Sequence, residues 1–171
     1  MGIFDNFIFD EFSLLDNTIL TEVTINLPNG SIVKVDARED SHNSNNGSQG
    51  EMNHRGRIKV GTNRPTDGIT FPVDYTRGGI RLDKIPGKPD KFSASDIQNY
   101  FDAACAISSY AKKEIKDQAK FGGEKNEKKL EKRLKSFNDL SNEEKEKYIK
   151  KGREMCKKDT IGKSKIDKIK L

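Results

Sequence analysis

The stretch Thr21-Glu22-Val23-Thr24-Ile25-Asn26-Leu27-Pro28-Asn29-Gly30-Ser31-Ile32-Val33-Lys34-Val35-Asp36-Ala37 decides how the first half of the chain folds. Polar and apolar residues alternate up to Leu27 and again from Ser31, with Pro-Asn-Gly between them. A period of two sends alternate side chains to opposite faces of a strand, so the stretch is a β-hairpin. Two registers compete. A two-residue Asn29-Gly30 turn sets Ile25 opposite Lys34 and Val23 opposite Asp36. A three-residue loop has Pro28 and Asn29 in a type I turn and Gly30 left-handed as a bulge. It sets Ile25 opposite Val33 and Val23 opposite Val35, which leaves one face apolar, and Pro28 suits the first turn position. The three-residue loop is therefore predicted.

Downstream, residues 38–56 hold the run Ser41-His42-Asn43-Ser44-Asn45-Asn46-Gly47-Ser48-Gln49-Gly50, which has neither period nor apolar residues and reads as a flexible loop. Short strands are predicted at Arg57–Val60, Ile69–Val73 and Gly79–Leu82, and Pro72 points to a sheet edge or a bulge. Two prolines make residues 84–91 an extended linker. A helix starts after Ser93, which caps it with Asp96 three residues on and Phe92 stapling onto Ile97. Its stripe of Ile97, Tyr100, Phe101, Ala104, Cys105, Ser108 and Ala111 is rich in small residues that permit close packing, and Gly122-Gly123 stops it. A second helix covers about 124–137. A third follows the Ser141/Glu144 capping box and runs to about Lys158, interrupted by Gly152. Residues 160–171 are a basic tail, disordered or folded against a partner. Upstream, Phe4, Phe7, Ile8, Phe12 and Leu15 fall at helical spacing, as a core cap or as an anchor for a groove on a partner.

Strands cluster first and helices follow, so the predicted class is α+β: a small antiparallel sheet, then two to three helices. The division is 1–91, β-rich, and 92–171, Lys-rich and helical. With 32% hydrophobic and 35% charged residues in 171, the core is expected to be modest and the helices exposed. Charge is graded along the chain: eight acids against two bases over residues 1–40 (−6), four against six over 41–83 (+2), and fifteen against twenty-four over 84–171 (+9). The gradient suits nucleic acid, an acidic protein or head-to-tail self-association, and equally a solvated Lys/Glu surface.

Chemistry-bearing patterns are few. Cys105 and Cys156 are too widely separated for a disulfide framework or a zinc motif, and read as reduced structural thiols. No basic segment precedes the first apolar residues and no run reaches ~20 apolar residues. A signal peptide and a membrane span are therefore not expected, and the location is read as cytoplasmic or particle-associated. Gly162-Lys163-Ser164 lacks the upstream Gly of a phosphate loop, and Glu114-Ile115-Lys116 sits on a helix where a nuclease site needs strands.

The one acid–base constellation is His54 with Glu51, Arg55, Arg57 and Lys59, joined by Tyr75 and Arg77. It would equip a metal-independent ribonuclease, with His or Glu as base and Arg for the phosphate. A basic loop mouth with an incidental histidine explains the same residues. The basic helical face is placed at Lys112, Lys113, Lys116, Lys120, Lys150, Lys151 and Arg153. The leading expectation is a non-enzymatic interaction or assembly protein without cofactor or metal. It would dock on another protein or on itself through Phe4, Phe7, Ile8 and Phe12 and through its basic helical half. A component of a virus-like or secretion-type particle fits that description. The alternatives are a toxin-like ribonuclease centred on His54 and a non-specific nucleic-acid binder.

Overall fold

The structure is a computed structural model that describes residues 22–39, 54–82, 85–86, 89–116, 123–159 and 169–170. Five strands, β1 (Glu22–Asn26), β2 (Ile32–Glu39), β3 (Arg55–Gly61), β4 (Ile69–Asp74) and β5 (Gly79–Ile80), form one antiparallel sheet in chain order. Three helices follow: α1 (Ala94–Lys116), α2 (Gly123–Ser136) and α3 (Asn142–Asp159). The fold is α+β, with the helices on one face of the sheet.

The first hairpin has the three-residue loop. Ile25 pairs with Val33 and Val23 with Val35. Gly30 takes φ +93°, the conformation a bulge demands and a side chain resists. The loop closes through Leu27 N–H to the Ser31 carbonyl (2.9 Å) and Gly30 N–H to the Leu27 carbonyl (3.0 Å). The next hairpin departs from expectation. Strand pairing reaches Glu39 and restarts at Arg55, so both ends of the expected 38–56 loop are sheet. Pro72 lies in β4, between β3 and β5, rather than on an edge strand. Its carbonyl accepts from Arg81 N–H (2.8 Å), so its missing donor faces the side where β5 has already ended.

Val23, Ile25, Val33, Val35, Ala37, Ile58, Val60, Ile69, Phe71, Val73 and Ile80 carry the inner face, and α1 lies across it. Ser93 caps α1, its Oγ accepting from Asp96 N–H (3.0 Å). Phe92 packs against the core and meets Tyr100 edge-on at 5.6 Å. From Tyr100 to Ser108 every residue of α1 is buried, because the sheet, α2 and α3 enclose it. A helix enclosed on all sides needs small residues where others approach, and Ala103, Ala104, Cys105 and Ala106 supply them. Strands and helices therefore share one core, deeper than the composition suggested.

Gly152 is a packing device as well as a weak helix former. A Cβ there would strike the Cys105 carbonyl oxygen and lie 2.7 Å from the Cys105 Cβ. The Ser141–Glu144 capping box forms, with Glu144 N–H donating to Ser141 Oγ at 3.1 Å. Two tail residues return to their own chain: Ile169 packs against the core and Lys170 N–H donates to Gln98 Oε1 (2.7 Å). Among the described residues no helix is long and apolar enough to cross a membrane.

Candidate functional site: the open face of the sheet

The helices cover one face of the sheet, and strand alternation sets the other. The rows are Glu22, Thr24 and Asn26 on β1, Ile32, Lys34, Asp36 and Arg38 on β2, Arg55, Arg57 and Lys59 on β3, and Thr70, Pro72 and Asp74 on β4. The cations concentrate on the central strand, where Arg55, Arg57 and Lys59 recur at every second residue. Two residues of strand rise ~6.6–6.8 Å, so the row is a regular ladder of positive charge. Lys59 is opposite Asp36 and Arg55 opposite Asp74, whereas Arg57 is flanked by Arg38 and Pro72. Asp36 is buried and accepts from Arg38 Nε at 3.3 Å. Arg55 and Arg57 are exposed, and Ile32, 58% exposed, is the one exposed large apolar side chain among the described residues.

Side chains from the helical half bond backbone groups on both edges of this sheet. On β1 the Asn138 carboxamide accepts from Asn26 N–H (2.9 Å) and donates to the Thr24 carbonyl (2.6 Å). Lys145 Nζ donates to the Asn26 carbonyl (2.9 Å). These are among the outward-facing groups that a sixth strand would bond. On β5, Ile80 N–H points at Cys156 Sγ (3.3 Å), and Met155 covers Gly79.

His54 belongs to a different place. Its Nδ1 contacts Glu39 Oε2, and both side chains are buried. Glu39 continues the inner row of Val35 and Ala37, whereas Arg57 and Lys59 stand on the outer face. The backbone of His54 is fixed by Thr76 Oγ1, which accepts from its N–H (2.9 Å), and by Tyr75 N–H, which donates to its carbonyl (2.8 Å). Tyr75 is buried, with its hydroxyl 3.4 Å from the Arg38 carbonyl. Arg77 is exposed on the β4–β5 turn, 3.8 Å from Asp74. Glu51 lies outside the described residues. The carboxylate beside His54 is thus Glu39, legible in the sequence only as the continuation of the Val33-Val35-Ala37 alternation.

One groove of about 180 Å³, lined by Gly68, Ile69, Thr70, Pro86, Pro89, Lys91 and Phe92, opens at the other end of β4 from His54. It is smaller than a small-molecule site needs.

The expected basic helical face is divided. Lys150 and Lys151 are exposed and Lys112 is half-buried beside Gly78. Lys151 Nζ stands 5.5 Å from the centre of the Tyr148 ring. Arg153 belongs to an interhelical ion pair, its guanidinium 2.7 Å from Asp102 Oδ1. Lys113 and Lys116 lie on α1 with side chains outside the description, and Lys120, Phe4, Phe7, Ile8 and Phe12 lie outside the described residues.

No family model, curated protein or solved structure matches the chain. The functional reading rests on the geometry of its own residues.

Proposed function

We propose that the protein is a non-enzymatic binding and assembly module that holds an acidic partner on the open face of its sheet. The observation that carries this reading is the Arg55, Arg57, Lys59 ladder on the central strand, with Arg38 directly across from Arg57. Arg55 and Arg57 are exposed, and a row of positive charge on a strand attracts anionic groups of a partner. No aromatic side chain stands in the rows of this face among the described residues, so contacts would go to phosphates or carboxylates rather than to stacked bases. The Phe-rich stretch with Phe4, Phe7, Ile8 and Phe12 keeps its place in this reading as a protein-docking segment.

The test is fluorescence anisotropy with a single-stranded oligonucleotide as a generic polyanion, across a salt series. Four cations in contact with phosphates give a slope of log affinity against log salt of about −3. Replacing Arg55, Arg57 and Lys59 together by Ser removes most of that slope, whereas replacing Lys150 and Lys151 leaves it. Affinity that is flat in salt, or unchanged by the triple substitution, overturns the reading.

The buried His54–Glu39 pair favours a second reading, since a carboxylate on one ring nitrogen is how a general base is oriented. A ribonuclease built on it loses RNA cleavage in His54→Ala and keeps it in Arg57→Ser. The binding module shows no cleavage in either protein.

A further inference from the structure

Cys105 and Cys156 stand 51 residues apart in sequence and meet in the fold. Cys105 is on α1 and Cys156 on α3; neither is in a disulfide, both are fully enclosed, and the two thiols are close enough to influence one another. Three features build this approach. Gly152 stands one turn before Cys156 on α3, and its missing side chain lets the α3 backbone touch Cys105. The Arg153–Asp102 ion pair clamps the same two helices three residues from each thiol. Ile80 N–H donates to Cys156 Sγ and anchors that sulfur on β5. The thiols therefore sit between fixed points on two helices and a strand.

We propose that this pair is an oxidation site, where a peroxide converts the two thiols into a reversible intrachain disulfide that ties α3 to α1. Cys156 lies three residues before the end of α3 (Asp159). Helix ends fray, so Cys156 reaches solvent before Cys105 does. Its thiolate attacks one oxygen of hydrogen peroxide, the O–O bond breaks, and water leaves with Cys156 as the sulfenic acid. Before α3 repacks, the Cys105 thiol gives its proton to water, its thiolate attacks the sulfenic sulfur, the S–O bond breaks, and the departing hydroxide takes up a proton as a second water. Peroxide gains two electrons, the two sulfurs lose one each, and both thiol protons end in water. Reactants and product are neutral, as a dry site requires. In the closed state burial holds the Cys105 thiol well above its ordinary range, and the neighbouring Cys156 adds to this. The reaction accordingly starts from the frayed helix and not from the packed one.

The experiment treats the full chain with graded hydrogen peroxide and follows intact mass and non-reducing peptide maps. Only two cysteines exist, so an intrachain disulfide is unambiguous. The expected result is a monomer lighter by two hydrogen atoms, a linked peptide pair restored by dithiothreitol, and a higher denaturant midpoint for the oxidised form. Low urea speeds the reaction, because it populates the frayed state. Cys105→Ser traps the intermediate, which dimedone labels at Cys156. Should that variant not fold, timed dimedone labelling of the parent chain gives the same information. The proposal is overturned if the parent gains oxygen without cross-linking, forms only dimers between chains, or keeps both thiols titratable after denaturation.

Discussion

Gly152 of α3 lies so close to Cys105 of α1 that an added methyl group would overlap the Cys105 carbonyl oxygen and sit 2.7 Å from its Cβ. Two effects of Gly152→Ala oppose each other. Alanine improves helix propensity by roughly 0.8–1.0 kcal/mol. The clash is with backbone and Cβ atoms that no side-chain rotation relieves, and overpacking of this kind costs about 1–3 kcal/mol. A contact with a backbone oxygen puts the clash at the upper end of that range, and Gly152→Ala is expected to lower the urea midpoint by a net destabilisation of up to about 2 kcal/mol. A midpoint that rises would mean that α1 and α3 can separate without loss.

Arg153 and Lys150 were grouped in the sequence as one basic face, and the fold separates their roles. Arg153 donates to Asp102, which also accepts from Gln98 Nε2 (2.9 Å). Arg153→Met leaves Asp102 largely enclosed with that single amide, at a cost of about 1–3 kcal/mol given the partial exposure of the arginine. Lys150→Ser lies on the exposed face and stays within about 0.5 kcal/mol. Chemical denaturation of the two variants checks the contrast; equal effects would return Arg153 to the surface.

How far the fold could be read from the chain depended on whether its signals were local. The Pro28-Asn29-Gly30 loop set the register because only one pairing gave an apolar face. Ser93, and Ser141 with Glu144, marked helix starts because a cap lies within one turn of its partner. The Cys105–Cys156 contact, the Asp102–Arg153 pair and the His54–Glu39 pair join distant segments, and no local period announces them. The acid–base constellation is divided between two faces because residues adjacent in sequence alternate across a sheet: His54 turns to the inner side and Arg57 to the outer. Low overall hydrophobicity hid the buried α1, since the charge sits on α2 and α3 while alanines fill the middle of the fold.

Alkaline pH should weaken the fold through Cys105. Burial, with help from Cys156, raises its folded pKa well above the ordinary thiol value. Below about pH 8.5 the thiol is protonated in both folded and unfolded chains, and the stabilisation is complete. Above that value the unfolded chain releases the proton and the folded one keeps it. Stability then falls with rising pH by up to about 1.4 kcal/mol per pH unit, until the folded thiol also titrates. Urea unfolding in reductant between pH 7 and pH 10, against Cys105→Ala, isolates this contribution. Parallel curves for the two proteins would show that Cys105 titrates alike in both states.

The Asn138 carboxamide takes the place of a neighbouring strand on β1, accepting from Asn26 N–H and donating to the Thr24 carbonyl. Lys145 completes the cover with the Asn26 carbonyl. Asn138→Ala removes two hydrogen bonds at once and bares the outward edge of β1. Each is worth about 0.5–1.5 kcal/mol, so a destabilisation of about 1–3 kcal/mol is expected. A second effect separates edge protection from ordinary bonding. An uncovered edge strand is a template for another chain, so the variant should self-associate with rising concentration. Sedimentation velocity of Asn138→Ala and of Asn138→Ala/Lys145→Met reads this directly, the double variant associating more strongly. Asn138→Asp keeps an acceptor for Asn26 N–H but loses the donor to Thr24, and falls between the parent and the alanine variant. If all of these proteins stay monomeric while losing stability, Asn138 fastens the helices to the sheet without guarding its edge.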